Sequence, residues 1–273
     1  PYGRKLNKEE LLGLLDENVI GLIAGLETID SEIVKNSNLK SISRLGAGIS
    51  NIDLEAISKK KIKLSYIPEG PTQSVAELSI SNIINLSRKT YLMNKELKEN
   101  RKWHRIYGNE IFNKNILIIG YGNIGRKVAD ILNYIGSNIF VYDPFVNKKG
   151  ISHINFCDLP EGLAVADIIS IHASGDNCIL GKEEFKMMKK GVKICNSARG
   201  KAIDEIELIE SLKNDIVDSV WIDTFTEEPY YGELLNHDKC IFTPHISSLT
   251  AECRLNMEEI AVKNLLLDLN GIN

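Results

Sequence analysis

No run in this 273-residue chain approaches the roughly 18 consecutive apolar residues that crossing a bilayer requires. A surplus of positive charge is missing too. Lysine and arginine number 33 against 37 acidic residues, a net charge of −4 with a pI near 5.8, whereas nucleic-acid-binding domains carry a clustered basic excess. Lys59-Lys60-Lys61 is read as a solvated face in a strand–helix connection. The opening residues, Pro1-Tyr2-Gly3-Arg4-Lys5-Leu6, lack signal-peptide character. Five cysteines (Cys157, Cys178, Cys195, Cys240, Cys253) show neither CxxC nor Cys/His metal spacing. That pattern predicts reduced thiols in a cytoplasmic protein, with no disulfide framework and no metal site. There is no repeat of short fixed period and no low-complexity segment.

What remains is the composition of an ordinary globular protein, 43% hydrophobic and 26% charged, long enough for two domains. Strand-length apolar stretches alternate with amphipathic segments, the pattern of a parallel α/β sheet. In a first block, strands are predicted over 19–24, 41–45 and 62–67, with helices over 31–36 and 53–60, the latter capped by Asp53. The opening reads as a loop already past a first strand, so an incomplete N-terminus is expected. A long helix is predicted from Ser74 to about Asn100, capped by Ser74 or Thr72. A second block of strands follows over 116–119, 138–142, 168–172, 192–196, 220–223 and 241–243. A last helix over 250–269 has the length to pack back on the first lobe.

Gly120-Tyr121-Gly122-Asn123-Ile124-Gly125 sits between an apolar strand and a helix, and Asp143 comes 23 residues after Gly120 at the end of the next strand. The first glycine permits the turn, the second lets backbone approach a pyrophosphate, and the third lets helix and strand pack closely. The helix N-terminus favours the phosphates. A carboxylate at Asp143 accepts from ribose hydroxyls and repels a 2′-phosphate, so NAD is predicted over NADP.

Three residues each lie just past a predicted strand: Arg199, Glu228 and His245. Ligands of open parallel sheets bind outside the carboxyl ends of the strands, so these side chains can converge. Arg199 reads either as a surface partner of Asp204 or Glu205, or as a guanidinium fork for a substrate carboxylate. Asp223 either caps a turn or belongs to the site. His172 also ends a strand, and competes with His245 for a proton-transfer role.

Taken in order, these segments resemble the D-isomer-specific 2-hydroxyacid dehydrogenase family. The resemblance extends through Ser43-Arg44-Leu45-Gly46-Ala47-Gly48, Asn51-Ile52-Asp53, Thr72 to Leu78, Trp103, Ala198-Arg199-Gly200, Glu228-Pro229 and Pro244-His245. It implies an α/β architecture: a doubly wound parallel-sheet (Rossmann) cofactor domain, residues 91–246, inserted into a smaller flavodoxin-like substrate domain, residues 1–90 plus 247–273. The active site would lie in the cleft between them. The resemblance places catalysis on Arg199, Glu228 and His245. It places cofactor contacts on Gly120, Gly122, Asn123, Ile124, Gly125, Asp143, His172, Ala198 and Asp223, and substrate contacts on Gly25, Leu26, Arg44, Leu45, Gly46 and Ala47. It also implies a homodimer formed through the cofactor domain and its leading helix. Ala173-Ser174-Gly175-Asp176 departs from the family's usual proline and polar turn after the strand-end histidine.

Tyr2 to Leu6 and Gly21 to Glu27 look most like phosphoglycerate-dehydrogenase-type members. With Arg4, Lys5 and Arg44 as extra cations, oxidation of 3-phosphoglycerate to 3-phosphohydroxypyruvate, a step of serine biosynthesis, is the expected reaction. Glyoxylate, hydroxypyruvate and D-lactate enzymes share the catalytic set. The family also contains an NAD-sensing corepressor, a non-enzymatic alternative, and a degenerate NAD binder is a third reading.

Overall fold

The computed structural model describes residues 5–147, 151 and 154–271. Residues 1–4, with the cation expected at Arg4, and His153 lie outside the described residues. The chain divides into two compact units: Pro1–Pro71 with Leu249–Asn273, and Thr72–Ser248.

The first unit runs α1 (Lys8–Leu14), β1 (Gly21–Ala24), α2 (Ser31–Lys35), β2 (Ser41–Arg44), α3 (Leu54–Lys59) and β3 (Lys63–Ser65), and is completed by the terminal helix Ala251–Asn270. Its three strands are parallel in the order β1-β2-β3. One face buries Leu11, Ile29, Ile33, Ile42 and Ile57. The terminal helix covers the strands with Met257 and Ala261, and Gly21 leaves room for its Leu265 and Leu269. Asp53 caps α3 as predicted, accepting from Ala56 N–H at 2.9 Å. Helix α1, however, occupies a stretch that had no predicted element. Its signal is a capping box: Glu10 N–H donates to Asn7 Oδ1 at 2.9 Å, and Asn7 N–H to Glu10 Oε2 at 2.9 Å.

The second unit runs α4 (Thr72–Arg88), α5 (Thr90–Glu99), β4 (Asn115–Ile119), α6 (Asn123–Ile135), β5 (Asn138–Tyr142), β6 (Asn155–Phe156), α7 (Leu159–Val165), β7 (Ile168–Ile171), α8 (Lys182–Met187), β8 (Val192–Asn196), α9 (Glu205–Lys213), β9 (Val217–Ile222) and β10 (Cys240–Phe242). The seven strands are parallel, ordered β10-β9-β8-β7-β4-β5-β6. Helices cover both faces, which is why almost every residue of β4, β7 and β8 is buried and β4 and β7 are nearly continuous apolar runs. The direction of winding reverses between β4 and β7, so the crevice at their carboxyl ends is where a doubly wound sheet takes its ligand.

Two expectations are corrected here. The long helix predicted from Ser74 is two helices, broken at Lys89, whose φ is +53°. Asn85 Oδ1 accepts from Tyr91 N–H at 3.2 Å and starts α5, while Lys89 Nζ reaches Asp218 Oδ1 at 3.1 Å. Neither Ser74 nor Thr72 caps α4: Ser74 Oγ donates to Ser247 O at 2.6 Å, and Thr72 Oγ1 is buried with no partner among the described residues. The first unit also ends at Pro71 and resumes at Leu249, where 90 and 247 were expected. Helix α4 packs on α6, β8 and β9, and so belongs to the larger sheet.

Candidate active site

After β4 the chain turns at Gly120, whose φ of +92° is open to glycine alone at low cost. A Cβ there would lie 2.5 Å from Ala173 N. A Cβ at Gly125 would collide with the Gly120 carbonyl oxygen, so α6 meets the turn with no room for a side chain. Gly122 is different. It is the N-cap of α6 and offers no side chain to the first-turn N–H groups, and a Cβ built there meets nothing within 4 Å. Open space over a helix N-terminus is what a pyrophosphate needs. Asp143, at the end of β5, accepts from Tyr121 N–H at 2.7 Å and Phe145 N–H at 2.8 Å, which ties its carboxylate to the glycine turn. These residues fit a dinucleotide.

At the same edge of the sheet, the turns after β8, β9 and β10 adjoin. Asn196 shapes the first: its Oδ1 accepts from Ala198 N–H at 3.0 Å and its Nδ2 donates to Arg199 O at 2.9 Å. Gly200 then passes so close to the backbone of Phe225 and Thr226 that a Cβ would overlap it. Phe225 N–H donates to Glu228 Oε1 at 3.1 Å, and the Glu228 carboxylate faces His245 Nδ1 at 2.9 and 3.0 Å. His245 has a φ of +53°, uncommon for a residue other than glycine. Its N–H donates to Asp223 O and Thr243 O, both at 2.9 Å. Asp223, fully buried, fixes the loop further. Its carboxylate accepts from Ile246 N–H at 3.0 Å, from Ser247 N–H at 2.9 Å, and from the Thr243 and Ser247 hydroxyls. Arg199 does not pair with Asp204 or Glu205: Asp204 caps α9 and Glu205 accepts from the Tyr230 hydroxyl at 2.5 Å. Arg199 Nη1 donates to Ala198 O at 2.7 Å.

Residues 80–247 match the family model of the D-isomer specific 2-hydroxyacid dehydrogenase NAD-binding domain. This chain belongs to the D-isomer-specific 2-hydroxyacid dehydrogenases. It is 31% identical to a D-3-phosphoglycerate dehydrogenase of Archaeoglobus fulgidus over 98% of this chain and 52% of the relative. It is 33% identical to a hydroxypyruvate reductase of Thermotoga maritima over 91% of this chain and 84% of the relative. The crystal structure of the TT0316 protein from Thermus thermophilus superposes with a TM-score of 0.91 at 28% identity, covering 98% of this chain and 88% of that one. The chain spans about half the length of the phosphoglycerate dehydrogenases it matches.

With the larger unit established as the family's NAD-binding domain, Asp143 carries a prediction. If Asp143 is the acid beside the ribose, Asp143→Ala removes a charge that opposes a 2′-phosphate, and the affinity for NADP relative to NAD should rise at least about tenfold in a fluorescence titration. An unchanged ratio would show that another group excludes the phosphate.

His172 is a weaker candidate than His245 for the proton carrier: it is partly buried, and desolvation lowers its pKa from 6.5 to about 4, which favours the neutral imidazole at pH 7. Nε2 meets Ser170 Oγ at 2.8 Å, and Nδ1 meets Ser197 Oγ at 3.5 Å. Sequence reasoning passed over Asn196, Ser197, Thr243 and Ser247. Only Asn196 leaves a local signal, an Asn ending a strand before small residues, where its side chain bonds to backbone two residues on.

Within the first unit, the expected substrate residues lie past the carboxyl ends of β1 and β2. Leu45 N–H donates to Ala24 O at 2.8 Å, and Asn51 Nδ2 holds Gly25 O at 3.2 Å and Glu27 O at 2.7 Å. The loop of Gly25 and Leu26 is thereby held by Asn51, and the strand end before it is bonded to Leu45. Arg44 is 7% exposed, and its Nη1 donates to Leu45 O.

Proposed function

We propose that this chain interconverts a D-2-hydroxy acid and its 2-keto acid with NAD, using Arg199, Glu228 and His245. The observation that carries this reading is the Glu228–His245 pair, held at 2.9 Å on a loop pinned by Asp223 at the carboxyl edge of the nucleotide-binding sheet. Bound NAD supplies the hydride acceptor, or the donor in the reverse direction.

The protein's own part follows from the geometry. Because Glu228 faces Nδ1, that nitrogen carries the proton in the neutral ring, and Nε2 presents its lone pair to the substrate hydroxyl. Nε2 takes the hydroxyl proton during oxidation and returns it during reduction, while Glu228 balances the imidazolium that forms. Arg199 holds the substrate carboxylate through two parallel N–H donors. Gly25, Leu26, Arg44, Leu45, Gly46 and Ala47 are the proposed substrate contacts of the smaller unit.

Arg199→Ala should therefore raise KM for the acid and lower kcat/KM by about a hundredfold or more, since two charged hydrogen bonds at about 1.5–3 kcal/mol each are lost. Steady-state kinetics that leave both KM and kcat unaltered would remove the clamp.

The favoured substrate is 3-phosphoglycerate, supported by the phosphoglycerate dehydrogenases among its relatives and by the cationic Arg44. The hydroxypyruvate reductase at 33% identity supports the alternative. Turnover on 3-phosphoglycerate, glycerate and D-lactate with NAD decides between them, and equal or faster rates without the phosphate would reject the preference. We also propose a homodimer through the larger unit, where Trp103, Tyr107 and Tyr134 are almost wholly exposed and would be covered by a second copy. Sedimentation of a monomer at micromolar concentration would reject it.

A further inference from the structure

The amino ends of β4, β7 and β8 lie at the opposite end of the larger sheet from the glycine turn. Beside them the last turn of α4 and the segment around Asn109 frame a cavity of about 150 Å³. Lys114, Lys189, Lys190 and Lys193 line it, against Glu110 and Asp167. Asp167 is already committed: Oδ1 accepts from Lys189 Nζ at 3.2 Å, and Oδ2 from Asn115 N–H at 2.9 Å.

Two buried groups in the lining are poorly served. Lys193 is 7% exposed, and its ammonium has three donors, yet its partners among the described residues are Asn109 Oδ1 and Asp218 Oδ2, each at 3.5 Å. Ser87 is 1% exposed, and its hydroxyl has no partner among the described residues. A buried ammonium or hydroxyl left short of hydrogen bonds costs stability. Surface lysines near the end of α4 would complement the helix dipole, but that role explains neither the buried ammonium nor the orphan hydroxyl. Gly191, in the Lys189–Lys193 turn, has a φ of +86° and open space where a Cβ would be. The backbone therefore adds no side chain to the mouth.

We propose that this cavity binds a phosphate dianion, either inorganic phosphate or the terminal group of a small phosphomonoester, with Lys193 and Ser87 at its floor and Lys114 and Lys190 at its rim. With Lys89 and Asp218, which pair at 3.1 Å beside Lys193, five ammonium groups against three carboxylates leave an excess of two positive charges, matched to a dianion. The volume exceeds that of a few waters, at about 30 Å³ each, and admits a tetrahedral oxyanion with a short carbon tail. The inference does not depend on the dehydrogenase reading.

The test is a thermal-unfolding titration of the full chain at constant ionic strength. Arg199→Ala serves as the background, so that binding at the proposed catalytic site does not contribute. Inorganic phosphate and glycerol 2-phosphate are the two ligands, with chloride as the reference. A saturable rise in Tm of about 3–6 °C at ten times the midpoint concentration is expected for one of them, and which one saturates identifies the source. The midpoint should move at least tenfold higher in Lys193→Met. It should do the same in the Lys114→Met/Lys190→Met double variant, whose changes lie at the rim and leave the core intact. A response no different from chloride overturns the proposal, as does a saturable response that persists unchanged in the rim variant.

Discussion

His245→Ala is expected to lower kcat by about a hundredfold to ten-thousandfold, the range general acid–base groups supply, while NAD affinity stays nearly constant. The ring stands on the loop after β10 with Nδ1 on Glu228, and its removal takes away the proposed proton acceptor and no part of the glycine turn. Stopped-flow turnover together with a fluorescence titration of NAD separates the two quantities. His172→Ala is the informative comparison, because desolvation lowers the pKa of that ring and makes it the poorer proton acceptor at pH 7. If His172→Ala lost the turnover and His245→Ala kept it, the assignment of the base would be reversed.

Asp223→Ala should produce the largest combined loss. Four donors converge on this fully buried carboxylate: the N–H groups of Ile246 and Ser247 and the hydroxyls of Thr243 and Ser247. Removing it strands all four, and breaking a buried charged network costs about 3–5 kcal/mol. For a unit of this size that lowers Tm by about 6–20 °C. Turnover should fall with it even at temperatures where the protein stays folded, because the left-handed backbone at His245 loses its support. Asp223→Asn keeps two acceptor sites in place of four and should lie between. Calorimetry beside kinetics at 20 °C tests both parts, and a folded Asp223→Ala protein with ordinary turnover would dissociate the loop from the chemistry.

The larger unit was the more legible one. Its central strands β4 and β7 are buried and leave nearly continuous apolar runs, and Gly120 and Gly125 are demanded by contacts that a side chain would break. The residues around the site were legible only as far as each leaves a local mark. Arg199, Glu228 and His245 could be named because each follows a strand. The partners that hold their turns, such as Thr243 and Ser247, owe their roles to positions 20 or more residues away, and nothing nearby in sequence records that. The break at Lys89 was missed for the same reason. The helical periodicity continues through it, and the ion pair to Asp218 that accompanies the turn is 129 residues distant. Helix α1 was missed although its capping pair was visible, because the opening was read as the remnant of a strand connection.

The two units differ in how they are threaded. The larger is one uninterrupted stretch, whereas the smaller is assembled from a leading piece and a trailing helix with all of residues 72–248 intervening. Joining those pieces in an unfolded chain forfeits on the order of 4–5 kcal/mol of loop entropy. Once the intervening stretch has folded, its two ends are fixed and most of that cost has been met. The smaller unit thus leans on the larger for its cohesion, and not the reverse. Amide exchange at Ile42, in the strand β2 that the trailing helix packs against, should be at least as fast as at Ile118 in the larger sheet under every condition.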